Sequence, residues 1–512
     1  MKSFKNITKY FLAAILIVIA LPSCKKFLDL DPQGKYDTGT YPYPKGSGPF
    51  DGDIFAAYDV LRSYDATGSG FIAATSIRSD DADKGSTPTD GPSSKEFDDF
   101  TLISTNGLLD GMWKSYYNLI GKANGVLDRI AKDQDPGTTT EVKTYAEAEA
   151  KFLRAYGYFM LVRLFGRVPL VDKVYADPTQ QANIPQSEPT TIYTFIESDL
   201  NFAGAHLPPS WDPNIFPGRA TSGSANGLLA KVYLTQKKWG PAMSAANKVI
   251  ISGQYDLSTT YDKIFGEDGE NSKESVFEIQ CTATLVEKRA NGSQFASIQG
   301  VRGSGDWNLG WGFNSPSGQL SAAYETNDPR KARTFLSVGV PTIYGETLLA
   351  GNQAADAPKV YNHKVHSNPA RRKALLDNFS YWMNIRILRY ADVVLMYAEA
   401  ANEVGGTTNT TDALEKLNSV RLRARNGNNA ILPNVTTTDQ GELRNAIRQE
   451  RRIELAMEYD RFFDLVRWGT AKTVLHAAGK TGFVEGKHEI LPIPAAQIQI
   501  SKGVLTQNFG YN

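Results

Sequence analysis

The chain of 512 residues has almost no cysteine: Cys24 and Cys281 are the only two. Histidine is nearly as scarce, at five. Together these shortages exclude a disulfide-built scaffold and make a zinc module or a cysteine nucleophile a poor fit. No charge of one sign prevails, because Lys+Arg and Asp+Glu both total 55. Without a basic field, nothing points to nucleic acid as a partner. Apolar runs of bilayer-spanning length, about 20 residues, are also missing after Cys24.

What is present begins at the N-terminus. Lys2, Lys5 and Lys9 flank the apolar run Tyr10–Ala20, which is short for a membrane span and suits a secretory signal. Leu21-Pro22-Ser23-Cys24 follows. A cysteine just behind a small residue is what a bacterial lipoprotein requires: the thiol takes a diacylglycerol, the preceding peptide is cut, and the new N-terminus is acylated. The alternative is an ordinary signal with an incidental cysteine, which the rarity of cysteine disfavours. Several acyl chains anchor far better than one. With Cys24 lipidated, Cys281 has no intramolecular partner. It closes the alternating stretch Ser275–Cys281, read as a strand with a small buried thiol.

Further on, helical periodicity predicts elements over Ile54–Arg62, Leu108–Ala131 and Glu141–Phe165, the last stopped by Gly166-Arg-Val-Pro169. Arg78–Asp90 reads as a polar loop with nothing to anchor a core. Residues 225–251 read as a helical hairpin: Ala230 and Tyr233 face Ala242 and Ala246, with Trp239-Gly240-Pro241 as the turn. That spacing is tetratricopeptide-like, and Ala155 with Tyr158 repeats its first half. From 257 to 385 the periodicity fails, and Gly-rich loops such as Gly300–Gly312 intervene; loops of that length are usually functional. Helices resume over Tyr390–Val404, from Asp412 (with Glu415) to Asn426-Gly427, and from Asp439 (with Glu442) to Trp468.

The last helix carries Leu443, Ile447, Glu450, Glu454, Met457 and Arg461 on one stripe. Carboxylates there need partners; Arg386, Arg389, Arg421, Arg423 and Arg451 are at hand. One reading is an acid/base pair for glycoside hydrolysis. The other, favoured by so many arginines, is a buried ion-pair network of Glu450, Arg451, Glu454, Arg389 and Arg421. Such a network keeps the carboxylates ionised and poor proton donors.

These C-terminal segments resemble the SusD/RagB family of outer-membrane lipoproteins of Bacteroidota. The carriers are Ile387–Glu403 (ILRYADVVLMYAEAANE), Leu417–Ala424 (LNSVRLRA), Glu450–Gly469 (ERRIELAMEYDRFFDLVRWG), Leu491–Pro494 and Gln507–Tyr511. Cys24–Asp29, Ala148–Val171 and Asp328-Pro-Arg330 are similar to earlier family segments. The resemblance implies a mainly α-helical, SusD-like fold of tetratricopeptide-like hairpins plus a loop-rich region with short strands. It also implies a signal peptide at 1–23, a lipidated extended segment at 24–50 and one domain at 51–512. In that domain the helical scaffold covers about 51–256 and 386–470, and the ligand-facing loops about 257–385. The implied function is capture of a nutrient, an oligo- or polysaccharide or sometimes a peptide, on the outer membrane, and its delivery to a SusC-like TonB-dependent transporter. No catalysis, cofactor or metal is implied.

Sugar recognition needs flat aromatic faces and hydroxyl-binding polar groups. The aromatic content, 11%, suits this. Trp307 and Trp311, in a flexible Gly-rich loop, are the first candidates. Tyr381 and Trp382, just before a helix, are next, followed by the paired acids Asp80 and Asp81 with Lys84. Trp113 lies on an apolar helix face and reads as core. His363 and His366 lack a third metal ligand, and Asp81–Gly85 lacks the spacing of a calcium loop.

Overall fold

The computed structural model describes residues 43–511; the signal segment, Cys24 and the chain up to residue 42 lie outside the described residues. From Gly46 onward the chain is one unit. Its longer helices, numbered in chain order, are α1 Asp51–Arg62, α2 Gly107–Lys132, α3 Thr140–Phe165, α4 Pro189–His206 and α5 Ser222–Thr235. They continue as α6 Trp239–Ile250, α7 Tyr390–Val404, α8 Thr407–Arg425, α9 Gln440–Glu454 and α10 Arg461–Trp468. From α1 to α9 each packs on its successor, so consecutive helices stack into a tetratricopeptide-like array. α6 still meets α7 although about a quarter of the chain is inserted between them.

Local chemistry sets the boundaries. Asn106 accepts from the Leu108 amide, Thr139 from Val142 and Asp439 from Glu442, so α2, α3 and α9 each start on a side-chain cap. Gly166 (φ +70°) ends α3. Ala230, Ala242 and Ala246 are buried where α5 meets α6. At Gly227 a Cβ would lie 2.7 Å from Leu388 Cδ2, so a larger residue there would make the Leu388 side chain shift.

Three expected boundaries move. Trp239 opens α6 instead of making its turn, which falls on Gln236–Lys238 with Lys237 left-handed (φ +58°). α8 starts at Thr407, not Asp412: Gly405 and Gly406 (φ +76° and +87°) reverse the chain within two residues, and Asp412 accepts from the Tyr397 hydroxyl. The helix expected from Asp439 to Trp468 breaks after Glu454, where Met457 and Tyr459 take positive φ. The break turns Glu458 toward Arg389 and packs the Tyr459 ring between Phe71 and Phe295, so Met457 and Arg461 leave the Glu450–Glu454 stripe.

The described strands form antiparallel pairs. β1 Ala82–Gly85 pairs with β5 Phe313–Pro316, and β2 Val168–Pro169 with β3 Gln186–Ser187. β4 Ser275–Ile279 pairs with β8 Ile385–Arg389, and β6 Phe335–Ser337 with β7 Val360–Asn362. Cys281 lies just past β4, partly buried, and burial pushes its thiol up to about 12. Trp113 is core, edge-on to Phe165 at 5.1 Å.

The Arg78–Asp90 stretch is not a free polar loop. Arg78 is buried with its guanidinium 3.9 Å from the Phe462 ring, and β1 is sewn to β5. Polar residues enter the core here because each finds a charged or backbone partner.

The densest of these partnerships surrounds α9. Glu450 meets Arg330 and Arg421 (2.8 Å to Arg421), and Glu454 meets Arg330 at 3.2 Å, Arg389 at 3.0 Å and Arg423 at 2.5 Å. Arg389 also reaches Glu274 at 2.7 Å and Glu458 at 2.6 Å, and Arg330 also binds Asp328. Burial alone would raise the Glu454 carboxyl, but Arg423, Arg389 and Arg330 hold it well below the usual range. Arg451 is not part of this cluster. It turns to Asp392 and Asp464, joining α9 to α7 and α10. Arg386 lies nearer Glu270 and Glu278.

Arg330→Ala leaves Glu450, Glu454 and Asp328 short of a buried counter-charge, an expected cost of about 3–5 kcal/mol. Lys248→Ala, on the exposed face of α6, is expected to stay within about 0.5 kcal/mol. Urea unfolding monitored by circular dichroism separates the two.

Candidate ligand-binding site

The Gly300–Gly312 loop is knitted rather than flexible. Leu309 and Gly310 amides donate to Val301 O at 3.0 Å, Gly312 to Gly300 O at 2.8 Å, and Trp311 to Ser297 O at 2.9 Å. A Cβ on Gly310 would sit 1.8 Å from Ser297 O, so here glycine permits close approach and not mobility.

The loop treats its two indoles differently. Trp307 is 8% exposed, packed with Val301, Leu309, Leu336, Leu348 and Tyr361, and stacked on His366 at 5.7 Å. It belongs to a small core and not to a ligand surface. Trp311 is 48% exposed. The Arg302 guanidinium carbon lies 5.0 Å from the Trp311 ring centroid, and Arg302 Nε pairs with Asp90 Oδ2 at 2.6 Å. A hydrogen bond from Ser86 Oγ (2.7 Å) is the first reason that the Asp90 carboxyl sits below its ordinary value; Arg302 adds to it.

β1–β5 pairing brings these groups together. Gly85 sits opposite Phe313, and the Ser86 amide donates to Gly312 O at 2.6 Å, which sets the 86–91 loop beside Trp311. Phe313 closes against Gly91, where a Cβ would lie 2.5 Å from its ring. The result is a half-exposed indole with a guanidinium over its ring, that guanidinium paired with a carboxylate which a buried hydroxyl holds in place. Such a surface can stack on a sugar ring and hydrogen-bond its hydroxyls.

The remaining candidates are placed elsewhere. Asp80 is gripped in a fork by Arg461 (2.8 and 2.9 Å) and Asp81 accepts from Arg452 at 2.8 Å; both acids are buried, so neither is free for a ligand. Burial would raise the Asp80 carboxyl, but Arg461 pulls it below its usual value. Lys84 donates to the carbonyls of Thr87 (2.8 Å) and Asp90 (2.7 Å), so it shapes the loop that carries Asp90 instead of facing solvent. Trp382 is buried with Nε1 donating to Glu267 at 3.0 Å, and Tyr381 is buried beside it. Asp80, Asp81, Lys84 and Trp382, expected at the ligand, each have an interior partner instead.

His363 Nδ1 lies 2.7 Å from Ala332 O, and His366 Nε2 lies 3.1 Å from Glu346 Oε2. Among the described residues no group of three or more possible ligands is arranged for a metal, and no helix is long and apolar enough to cross a membrane.

The sequence reasoning missed Arg302 and Asp90, which lie 212 positions apart. No spacing rule links them; only the β1–β5 register does.

A stacked helical array carrying a loop-built aromatic and polar surface defines a helical binding protein. The family comparisons make this specific. A model of the SusD family matches residues 360–511, and one described as starch-binding associating with outer membrane matches residues 65–234. SusD-like protein P2 of Formosa agariphila is 27% identical over 98% of this chain and 100% of its own length. A laminarin binding SusD-like protein superposes with a TM-score of 0.73 at 29% identity, over 90% of this chain and 99% of that one. Surface glycan-binding protein A from Bacteroides thetaiotaomicron, solved with laminarihexaose, gives 0.75 at 26%, over 90% and 98%. The chain belongs to the SusD family.

Two outcomes follow from the burial pattern. Trp307→Ala is expected to cost about 3–5 kcal/mol, and Trp311→Ala to stay within about 0.5 kcal/mol, read as shifts in unfolding midpoint. Burial, then the nearby Arg372 charge, lowers the buried His366 imidazole to about 4. Its contribution to stability is therefore complete above the unfolded value near 6.5 and is lost as pH falls through 6.5 toward 4. Histidine-selective NMR should show the His366 ring neutral from pH 8 down to about 5.

Proposed function

We propose that this chain is a lipid-anchored outer-membrane protein that binds an oligo- or polysaccharide at Trp311, Arg302 and Asp90 and delivers it to a SusC-like TonB-dependent transporter. The single observation that carries the binding claim is the solvent-open Trp311 indole, braced by Arg302 and Asp90 on a loop that is otherwise tightly closed. An exposed indole held by a rigid backbone is ready to stack without an ordering cost. The relatives named for laminarin, laminarihexaose and starch-binding support a glycan as the ligand class. Anchoring through Cys24, cleavage after residue 23, an extended segment to residue 50 and the transporter partnership rest on the leader sequence and on family membership. In this reading residues 257–385, joined by the 86–91 loop, form the ligand face of the single domain.

A peptide ligand is the alternative within the same role. The Arg302–Asp90 pair could hold peptide groups, but the flat indole favours a ring. Glycoside hydrolysis by Glu450 and Glu454 has little support, because both are buried and paired with arginine, and the arginines hold Glu454 ionised.

Affinity electrophoresis of residues 25–512 against plant, host and microbial polysaccharides tests the reading. Trp311→Ala is expected to weaken binding of the retarded glycan at least about tenfold, about 1.4 kcal/mol, with Arg302→Ala falling between it and the parent. Unchanged retardation in Trp311→Ala moves the site away from this loop, and no retarded glycan with a bound peptide would favour the alternative.

A further inference from the structure

The combination found at Trp311, an open aromatic face beside an arginine–aspartate pair, occurs a second time. On α1, Phe55, Asp59 and Arg62 stand at i, i+4 and i+7, a spacing that sets them on one face. Phe55 is 42% exposed. Arg62 Nε donates to Asp59 Oδ1 at 3.1 Å and Nη1 to Asn291 O at 3.1 Å, which fixes the guanidinium. Across from this face the 208–219 loop brings the Phe216 ring to 6.3 Å from Phe55.

Between them lies a cleft of about 200 Å³, with Gln280 in its wall. Gln280 and Asn271 exchange amide hydrogen bonds at 2.9 and 3.0 Å, so the amide is held in place. The loop is pressed onto Gln280: at Gly218 (φ +73°) a Cβ would lie 2.2 Å from Gln280 Nε2. Beneath the rings sits Arg219, its guanidinium carbon 4.7 Å from the Phe216 centroid and 5.4 Å from that of Phe55. Arg219 is itself buried and answered by Glu149 and Asp51, so it stiffens the aromatic wall without adding net charge to the cleft.

We propose that this cleft is a second saccharide-binding site, taking a sugar ring against Phe55 and Phe216 with its hydroxyls on Asp59 and Arg62. The chemistry selects a neutral polyhydroxylated ring: Asp59 and Arg62 at the rim are already paired, and their remaining acceptor and donor capacity suits hydroxyl groups. An acidic sugar would find no free cation, and an aliphatic ligand would strand the rim's polar groups. The inference rests on the reading of this chain as a glycan binder, but not on the Trp311 site itself. Two sites on one chain would raise the retention of a long polysaccharide above that of a short oligosaccharide, through the higher effective concentration of the second contact.

The test uses residues 25–512 and a hexasaccharide cut from the polysaccharide most strongly retarded in the electrophoresis panel. Calorimetry of the parent should give two hexasaccharides per chain, and Phe216→Ala and Asp59→Asn should each leave one. Trp311→Ala should also leave one, and Trp311→Ala/Phe216→Ala none. Retention of the whole polysaccharide should fall at least tenfold in Phe216→Ala, with an unchanged unfolding midpoint. One hexasaccharide per parent chain, or loss of all binding in Trp311→Ala alone, overturns the second site and leaves the glycan reading intact. A panel in which no polysaccharide is retarded overturns both.

Discussion

Everything that positions the candidate site depends on how the buried arginines meet the carboxylates of α9. Glu450 and Glu454 draw Arg421 and Arg423 from α8, Arg389 from β8 and Arg330 from the inserted region. Arg330 brings Asp328 with it, and Arg389 brings Glu274 from the approach to β4. A network of this kind is weak evidence for stability in itself, because desolvation offsets much of the attraction. Its value is geometric. Each guanidinium has a fixed fork of donors, so the insert can dock in only one register without stranding a buried charge.

That register has consequences at a distance. On the next face of the same region, Arg452 just inside α9 and Arg461 at the start of α10 hold Asp81 and Asp80. Ser317 then ties β5 to this pair, donating Oγ–H to Asp80 O at 2.7 Å and N–H to Asp81 O at 2.9 Å. With the start of β1 and the end of β5 pinned, the Gly85–Phe313 pairing follows, and with it the meeting of Asp90, Arg302 and Trp311. The acids expected to touch ligand therefore act two steps behind it. They orient the strands whose loops carry the ligand groups.

This explains what could and could not be read from the chain. The helices were legible because each is encoded locally, by an apolar stripe, a cap such as Asn106 or Asp439, and a stop such as Gly166. The need of Glu450 and Glu454 for arginines was legible for a similar reason, since a carboxylate on a buried stripe must be answered. Which arginines answer was less so: Arg451 follows its own helical face to Asp392, while Arg330 arrives from a region without periodicity. Exposure in the irregular region was not legible at all. Trp307 and Trp311 share a loop and a composition, yet one lies under Tyr361 and Leu348 and the other faces solvent, because the cross-loop hydrogen bonds to Val301 and Ser297 decide which way each points. Asp90 and Arg302 are joined only through strand register, a non-local quantity.

The architecture also bears on how a protein of this kind can both capture and release. Trp311 is half exposed, so under the proposed function a glycan stacked there would bury one side of its ring and leave the other in water. Contacts of that size give fast dissociation, since affinity within one interface is set mainly by the off-rate. Under that reading, retention would come from repeated engagement along a long chain, which more than one shallow site would supply. A rigid indole and pre-paired charges suit that regime: little freedom is lost at each contact and little must be rebuilt when it breaks. The closed backbone of the Gly300–Gly312 loop, with its bonds to Val301 and Ser297 already made, is what keeps both losses small.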